Sequence, residues 1–375
     1  MNIDYVVLPS VLFLFSVLIV ALCVRRIRTL RSKPYRRPRK LSERIVLSLA
    51  MLAVIGIAVS SLFNAIAVHR FWSSHPAAGQ MVMVGQSRMH IVCMGNGAPT
   101  VVLETGLGND ALIWSGIQAT LAQTTRVCAY DRAGFGWSES RSGPRDADHI
   151  AAELHQLLAQ AGINGPIVLM AHSIGGLYLR DYASRYPAQI AGMIFVDSSS
   201  PLQDKNPAFR SGGSGPPAWL LHVAMVAGVP RLMGMCSGGA RDAGYDFRKV
   251  NAEAVCRMHY SSMLAELSSF DRSGEETIHS GPYGDVPILV FSHDPAKVLQ
   301  GRHSAQDVAR QDAWSGMQEN LKRLSTTGRR IIAVGSTHYV MRDRADLLEK
   351  EVPLFIESIR GNIPPSSPNG STSSE

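Results

Sequence analysis

Ser173 is the residue of this chain best placed to do chemistry. It lies within residues 167–176, where four apolar residues lead into Ala-His-Ser-Ile-Gly-Gly. This pattern predicts a buried strand that ends in a tight turn and presents the serine at its tip. Ala171 and Gly175 flank the turn, where a larger side chain would clash. A serine hydroxyl becomes a nucleophile when a base takes its proton and a carboxylate orients that base.

Residues 171–175 resemble the nucleophile elbow of the α/β-hydrolases, G-x-S-x-G, with Ala171 at the first glycine position. Residues 104–108, Glu-Thr-Gly-Leu-Gly, follow a predicted buried strand and are similar to that family's oxyanion loop, whose common form begins His-Gly. The resemblance implies that the N–H groups of Leu107 and Ile174 form the oxyanion hole. In the alternative interpretation, the glycines only turn the chain.

A third resemblance lies in residues 131–138, Asp-Arg-Ala-Gly-Phe-Gly-Trp-Ser, which follow the predicted fourth strand. They are similar to the family's D-x-R-G-x-G-x-S segment, with Arg132 and Ala133 offset from the commonest form. We interpret this segment as structural. Asp131, Arg132 and Ser138 can hold the loop by local hydrogen bonds.

The family places its acid and its base after the serine, in that order. His338 follows the last predicted strand in a Ser-Thr-His-Tyr context and is the expected base. Asp294 follows the penultimate strand and is the first choice for the acid, although its spacing from the start of that strand is about two residues short. Asp197, one strand earlier, is the alternative acid. It could instead cap a loop.

The resemblance covers residues 80–360 and implies an α/β-hydrolase fold with a mostly parallel sheet of about eight strands flanked by helices. The strand rhythm stops over residues 198–284, where the family inserts a helical cap. Residues 361–375 are rich in Pro, Ser and Gly and are predicted to be disordered. The predicted cap has apolar residues that suit an acyl or alkyl group, although most must pack against each other: Leu220, Leu221, Met225, Val226, Leu232, Met233 and Met235.

Residues 1–72 are predicted to form a membrane module. Residues 5–24 and 45–68 are uncharged, apolar and long enough to cross a bilayer as helices. The loop between them, residues 25–44, carries more positive charge than the net +7 of the whole chain. The positive-inside rule places this loop in the cytoplasm and the catalytic domain on the opposite side.

Two other interpretations of this module remain open. The first apolar run could be a signal peptide, although no basic residue precedes it. The second run ends in Ala65-Ile66-Ala67, which resembles a signal-peptidase site and would allow the domain to be released.

The chain has five cysteines, and Cys23 lies in the first predicted spanning helix. Cys93 and Cys128 fall on the second and fourth strands, which the sheet order of the family places side by side. Cys236 and Cys256 both lie in the predicted cap. Outside the cytoplasm these four would form two disulfides, and the alternative is four buried thiols.

The sequence therefore predicts a membrane-anchored serine hydrolase, an esterase or lipase-like enzyme acting on a small-molecule or lipid-like ester. Other chemistries of the same fold are acyl transfer, peptide cleavage and cofactor-free haloperoxidation, and a non-catalytic binding domain at the membrane is a further alternative. We expect no cofactor and no metal, because no cluster has metal-ligand spacing. We expect no nucleic-acid partner either, because the positive charge is confined to one loop.

Overall fold

The computed structural model of the 375-residue chain describes residues 7–32, 37–201, 203–209, 217–236, 256, 260–302 and 304–361. The chain divides into two compact units. One unit comprises Met1–Pro76 with Ser214–Ser261, and the other comprises Ala77–Gly213 with Ser262–Glu375. The predicted disordered tail lies outside the described residues beyond Gly361.

The strands of the second unit are β1 (Gln80–Val84), β2 (Ser87–Met94), β3 (Thr100–Glu104), β4 (Val127–Tyr130), β5 (Ile167–His172), β6 (Ile190–Val196), β7 (Ile288–His293) and β8 (Arg329–Ala333). They form one eight-stranded sheet in the order β1-β2-β4-β3-β5-β6-β7-β8. β2 pairs antiparallel with β1 and with β4, and the other neighbours are parallel. The predicted fold class is confirmed.

The helices of the described chain are α1 (Leu8–Ser32), α2 (Arg37–Ser74), α3 (Ser115–Leu121), α4 (Ala147–Gln160), α5 (Gly175–Arg185), α6 (Ala218–Val226), α7 (Val229–Leu232), α8 (Tyr260–Ser268), α9 (Phe270–Thr277), α10 (Pro295–Leu299), α11 (Ala305–Lys322), α12 (Val340–Asp343) and α13 (Ala345–Arg360). Short 3₁₀ turns cover Ala111–Trp114, Pro187–Gln189 and Pro207–Phe209.

The central strands are buried on both faces, as their apolar sequences require. Successive residues of β5 point to opposite sides of the sheet, so Leu169 joins one apolar cluster while Val168 and Met170 join the other. Helices α4 and α5 contribute to the first cluster, and α3 and α13 contribute to the second. The sheet is therefore covered by helices on both faces.

The unit Met1–Pro76 with Ser214–Ser261, here called the N-terminal unit, contains α1, α2, α6 and α7. Within α1 and α2, Leu8–Leu30 and Lys40–Ser74 are long and apolar enough to cross a membrane. Arg26 and Glu43 form a salt bridge of 2.7 Å between the two helices. The prediction that all of residues 25–44 form a loop is wrong, because α1 continues to Ser32 and α2 begins at Arg37. Arg and Lys are good helix formers, which is consistent with this extension.

Both predicted cysteine pairs are disulfides in the structure. Cys93 and Cys128 are directly opposite residues of the antiparallel β2 and β4 strands and are bonded. Cys236 and Cys256 are bonded within the N-terminal unit, and Cys23 is a buried free thiol. Two disulfides are typical of a protein folded outside the reducing cytosol.

Counting thiols tests this pairing. In the denatured, unreduced full-length chain we expect maleimide to modify Cys23 alone, and after reduction all five cysteines, as measured by intact mass. The Cys93–Cys128 bond joins residues 35 apart, so its loss in a Cys93→Ser, Cys128→Ser double variant should cost about 3–4 kcal/mol of stability. The control Cys23→Ala should leave the melting temperature nearly unchanged. Three or five modified thiols before reduction would contradict the structure.

Candidate active site

Ser173 lies between β5 and α5 with a strained backbone. Its φ is +54°, in the left-handed region that non-glycine residues rarely adopt. Its N–H donates to the carbonyl of Val196 at 3.3 Å, and its carbonyl accepts from the N–H of Ser199 at 2.9 Å. A Cβ on Gly176 would lie 2.5 Å from the Cβ of Ser198, so glycine is required for this close approach. Packing against the end of β6 thus holds the strained turn.

His338 lies on the loop after β8 and faces Ser173. Its Nε2 is 3.0 Å from the Ser173 Oγ, and its Nδ1 is 2.6 Å from the Oδ2 of Asp197. The hydroxyl, the imidazole and the carboxylate therefore form a continuous line of hydrogen bonds. Such a line can pass the serine proton to the ring while the carboxylate stabilises the resulting imidazolium.

Asp197 follows β6 and is fully buried, with a φ of +46°. Its Oδ2 accepts from the Nδ1 atoms of His338 and His293, at 2.6 and 2.8 Å. Its Oδ1 accepts from the backbone N–H of His293 at 3.0 Å and from the indole N–H of Trp314 at 2.8 Å. Burial opposes the charge, but the hydrogen bonds from the two histidines outweigh it and hold the pKa of Asp197 well below its usual range.

The structure does not bring the first-choice acid, Asp294, to His338. The Asp294 carboxylate caps α10 by accepting from the N–H of Ala296 at 2.9 Å, and it also accepts from the N–H of Gly335 at 2.9 Å. The bond from Gly335 is the main cause of its lowered pKa. The physical reason is the direction of the side chains at the end of β7. His293 points to Asp197, and the next residue turns away to cap the helix.

His293 is a second histidine on the same carboxylate, and the sequence did not indicate this role. Its Nε2 lies 2.5 Å from the Oε1 of Gln311, so both ring nitrogens face oxygen atoms. Burial lowers the pKa of His293, but the hydrogen bond to Asp197 outweighs this and raises it overall. This environment favours the protonated ring. Gln311 and Trp314 lie three residues apart on α11. In the sequence this spacing indicates only that the two residues share one face of a helix.

The loop after β3 lies against the serine. A Cβ on Gly106 would be 2.7 Å from the Nδ1 of His172 and 3.1 Å from the Cβ of Ser173, so a side chain here would displace the turn. Among the described residues, the N–H groups of Leu107 and Ile174 donate to no protein acceptor. The two predicted oxyanion donors are thus available to bind a ligand oxygen.

Arg132 is buried and fixes that loop. It donates to the carbonyl of Thr105 at 2.8 Å, to its hydroxyl at 2.7 Å and to the carbonyl of Gly106 at 3.0 Å. It also pairs with Glu104 at 2.5 Å and with Glu266 at 2.7 Å. Burial raises the pKa of Glu104, and Arg132 opposes that rise. Arg132 therefore contacts residues outside its own loop, whereas only local hydrogen bonds were predicted for it.

The rest of the Asp131–Ser138 loop matches the structural role predicted for it. Asp131 is buried and accepts from the N–H groups of Ala111 at 2.7 Å and Trp137 at 2.9 Å. The Ser138 hydroxyl donates to the Asp131 carbonyl at 2.7 Å. These contacts join the loop after β4 to the segment after β3.

His172 precedes the nucleophile candidate but does not act on its hydroxyl. Its Nε2 lies 3.1 Å from the carbonyl oxygen of His338, and the two rings are 4.5 Å apart. Burial is the main cause that lowers the pKa of His172 to about 3, so the ring stays neutral at ordinary pH. A neutral ring that donates to this carbonyl helps to fix the backbone of His338.

Asp197, His293 and His338 are also a possible metal-ligand set within the described chain, since their ligand atoms lie within 4.8 Å of one another. The sequence showed no such spacing, because the three residues are far apart along the chain. Their nitrogen-to-oxygen contacts of 2.6–2.8 Å are those of hydrogen bonds, which account for the arrangement.

Known proteins resemble this chain in sequence and in fold. A family model described as the alpha/beta hydrolase fold matches residues 99–228. The human (lyso)-N-acylphosphatidylethanolamine lipase is 30% identical over 285 residues, covering 70% of this chain and 81% of that protein. The chain belongs to the α/β-hydrolase family. Some of its relatives are named lipases.

Two further matches concern length and fold. An uncharacterised protein of Schizosaccharomyces pombe is 28% identical over 313 residues, covering 74% of this chain and 55% of that relative. The α/β-hydrolase chain thus spans about half the length of this relative. The enol-lactonase from Burkholderia xenovorans LB400 has 22% identity and a TM-score of 0.52, covering 74% of this chain and all of that one. This similarity shows a shared fold.

The two aspartates can be separated by matched substitutions. We expect Asp197→Asn to lower kcat by roughly 10³- to 10⁴-fold, because the amide cannot stabilise the imidazolium of His338. Asp294→Asn keeps a good helix cap and should stay within about threefold of wild type. Steady-state kinetics on an activated ester would measure both. A large loss in Asp294→Asn with little loss in Asp197→Asn would reverse the assignment.

The pH profile tests His293. A protonated His293 partly neutralises the negative charge of Asp197 beside His338. The other groups around the His293 ring are Gln311, Trp314 and, at longer range, Arg330. In His293→Gln the full carboxylate charge favours the His338 imidazolium, so the acid limb of kcat/KM should move to higher pH by about 0.5–1 unit. His155→Gln, whose ring stacks on Tyr186, is the control and should not shift it. A shift to lower pH, or none, would contradict this role.

Proposed function

We propose that this protein is a membrane-anchored serine hydrolase that cleaves an apolar acyl ester. The observation that carries the proposal is the line from the Ser173 hydroxyl through His338 to Asp197, at 3.0 and 2.6 Å. Ser173 is the nucleophile, His338 the general base and acid, and Asp197 the carboxylate. This order along the chain, Ser-Asp-His, is that of the family.

The reaction needs two displacements. The Ser173 Oγ bonds to the acyl carbon while its proton moves to the Nε2 of His338. The bond to the leaving alcohol then breaks, and the same proton passes to the alcohol oxygen. Water then gives a proton to the Nε2 of His338 while its oxygen bonds to the acyl carbon. The bond from that carbon to the Ser173 Oγ breaks, the acid leaves, and the proton passes from His338 to Oγ. The N–H groups of Leu107 and Ile174 stabilise the oxyanion in both steps.

Two features support an apolar, lipid-like substrate at a membrane. The human relative is named a (lyso)-N-acylphosphatidylethanolamine lipase, and it aligns with 70% of this chain. The chain also carries two helices with the length and composition of membrane spans. A hydrolase tethered to a bilayer meets esters that partition into that bilayer.

We place the unit Ala77–Gly213 with Ser262–Glu375, here called the catalytic unit, outside the cytoplasm. Basic residues cluster between the two apolar runs, and such clusters are retained on the cytoplasmic side. The chain after α2 then lies on the opposite side. The disulfides of Cys93 with Cys128 and of Cys236 with Cys256 suit that compartment.

Covalent labelling tests the nucleophile. A fluorophosphonate probe should label the full-length protein in membranes, and Ser173→Ala should abolish the labelling, because the probe reacts with activated serines. Ser199→Ala, two positions after Asp197, is the matched control and should still be labelled. No labelling of folded wild type would favour the alternative of a non-catalytic binding domain.

The substrate class needs a separate measurement. A panel of esters with increasing acyl length, tested on wild type and Ser173→Ala, should show kcat/KM rising with acyl length, because each buried methylene contributes about 0.8 kcal/mol to transfer from water. A probe-reactive enzyme that cleaves no ester would redirect the proposal to acyl transfer, peptide cleavage or haloperoxidation.

A further inference from the structure

Residues 218–235, which comprise α6, α7 and the three residues after α7, expose an unusual number of large apolar side chains. Trp219, Leu232 and Met233 are 66%, 68% and 71% exposed. Single exposed apolar residues are ordinary, but a cluster of this kind indicates a surface that binds something apolar. Within these 18 residues the exposed large apolar side chains are Trp219, Leu220, Leu221, Val223, Leu232, Met233 and Met235.

The same segment is attached to α2 within the N-terminal unit. The Ser60 hydroxyl of α2 donates to the carbonyl of Ala227 at 2.6 Å. The Arg231 guanidinium donates to the Oδ1 of Asn64 at 2.7 Å. A Cβ on Gly228 would lie 2.9 Å from the Cβ of Asn64, so glycine lets the α6–α7 connection press directly on the helix.

The position of this contact along α2 sets its depth. The uncharged part of α2 runs from residue 45 to residue 68. Ser60 and Asn64 therefore lie about 12 and 6 Å before its end, at 1.5 Å per residue. Helices that lie in the boundary of a bilayer bury their apolar faces about 5–10 Å deep. The depth of Asn64 falls within this range, and that of Ser60 lies just beyond it.

Polar side chains within an apolar span need partners, because lipid offers none. Asn64 is buried, and its side-chain oxygen accepts from Arg231. The contact with the α6–α7 segment thus satisfies a group that would be costly against acyl chains. Lipid is then the occupant that matches both the depth and the apolar character of the exposed face.

We propose that residues 218–235 lie in the membrane boundary on the side where α2 ends, with their apolar side chains among the lipid acyl chains. The chain is thereby anchored by a third element besides its two spanning helices. This inference rests on the membrane anchoring in the proposed function.

Spin labels on the full chain in phospholipid vesicles test the inference. In a Cys23→Ala background, nitroxides are attached through Trp219→Cys, Leu232→Cys or Met233→Cys. The matched control is Val334→Cys, 67% exposed after β8 in the catalytic unit. We expect the three labels to collide readily with oxygen, which dissolves in lipid. Their collisions with a water-soluble nickel chelate should be less frequent than those of the control by roughly fivefold or more. Vesicle flotation is measured on each sample.

The outcomes separate the two proposals. A chain that fails to float with vesicles overturns the anchoring itself. A chain that floats, with labels as open to nickel as the control, overturns only the position of the segment. Labels shielded from both reagents would mean that protein covers the face, a second copy for example, which also overturns the inference. Having three labelled sites guards against a single variant that misfolds.

Discussion

The buried charge of Asp197 is the constraint on which the geometry of the candidate active site depends. A carboxylate removed from water costs several kcal/mol unless hydrogen-bond donors surround it. Its donors come from three places: the end of β7, helix α11 and the loop after β8. The hydrogen bonds to this carboxylate fix the positions of these three elements. They therefore also fix the position of His338, which faces Ser173.

Backbone strain is concentrated at the same place. Ser173 and Asp197 are the non-glycine residues with positive φ in the described chain, and such positions cost about 1–3 kcal/mol each. They are linked, because the Ser173 N–H donates to the carbonyl of Val196, the residue before Asp197. The parallel pairing of β5 with β6 thus holds Ser173 and Asp197, the proposed nucleophile and acid, near each other, while His338, the proposed base, comes from the loop after β8.

The sequence predicted the strands around the candidate site well, because buried apolar runs have strong local signals. It could not choose the acid, because Asp197 and Asp294 both follow strands, and the choice depends on which way the side chain after each strand points. His293, Gln311 and Trp314 were missed for the same reason. The ends of α1 and α2 were misjudged because the basic residues between the apolar runs are themselves helix formers.

The contact between Arg132 and the carbonyl of Gly106 has an electronic consequence. That carbonyl and the Leu107 N–H belong to one peptide group, whose resonance joins the oxygen to the nitrogen. A buried guanidinium 3.0 Å from the oxygen draws electron density toward it and leaves the N–H more acidic. The proposed oxyanion donor on this side is thus polarised by Arg132 in the folded chain, before any substrate arrives.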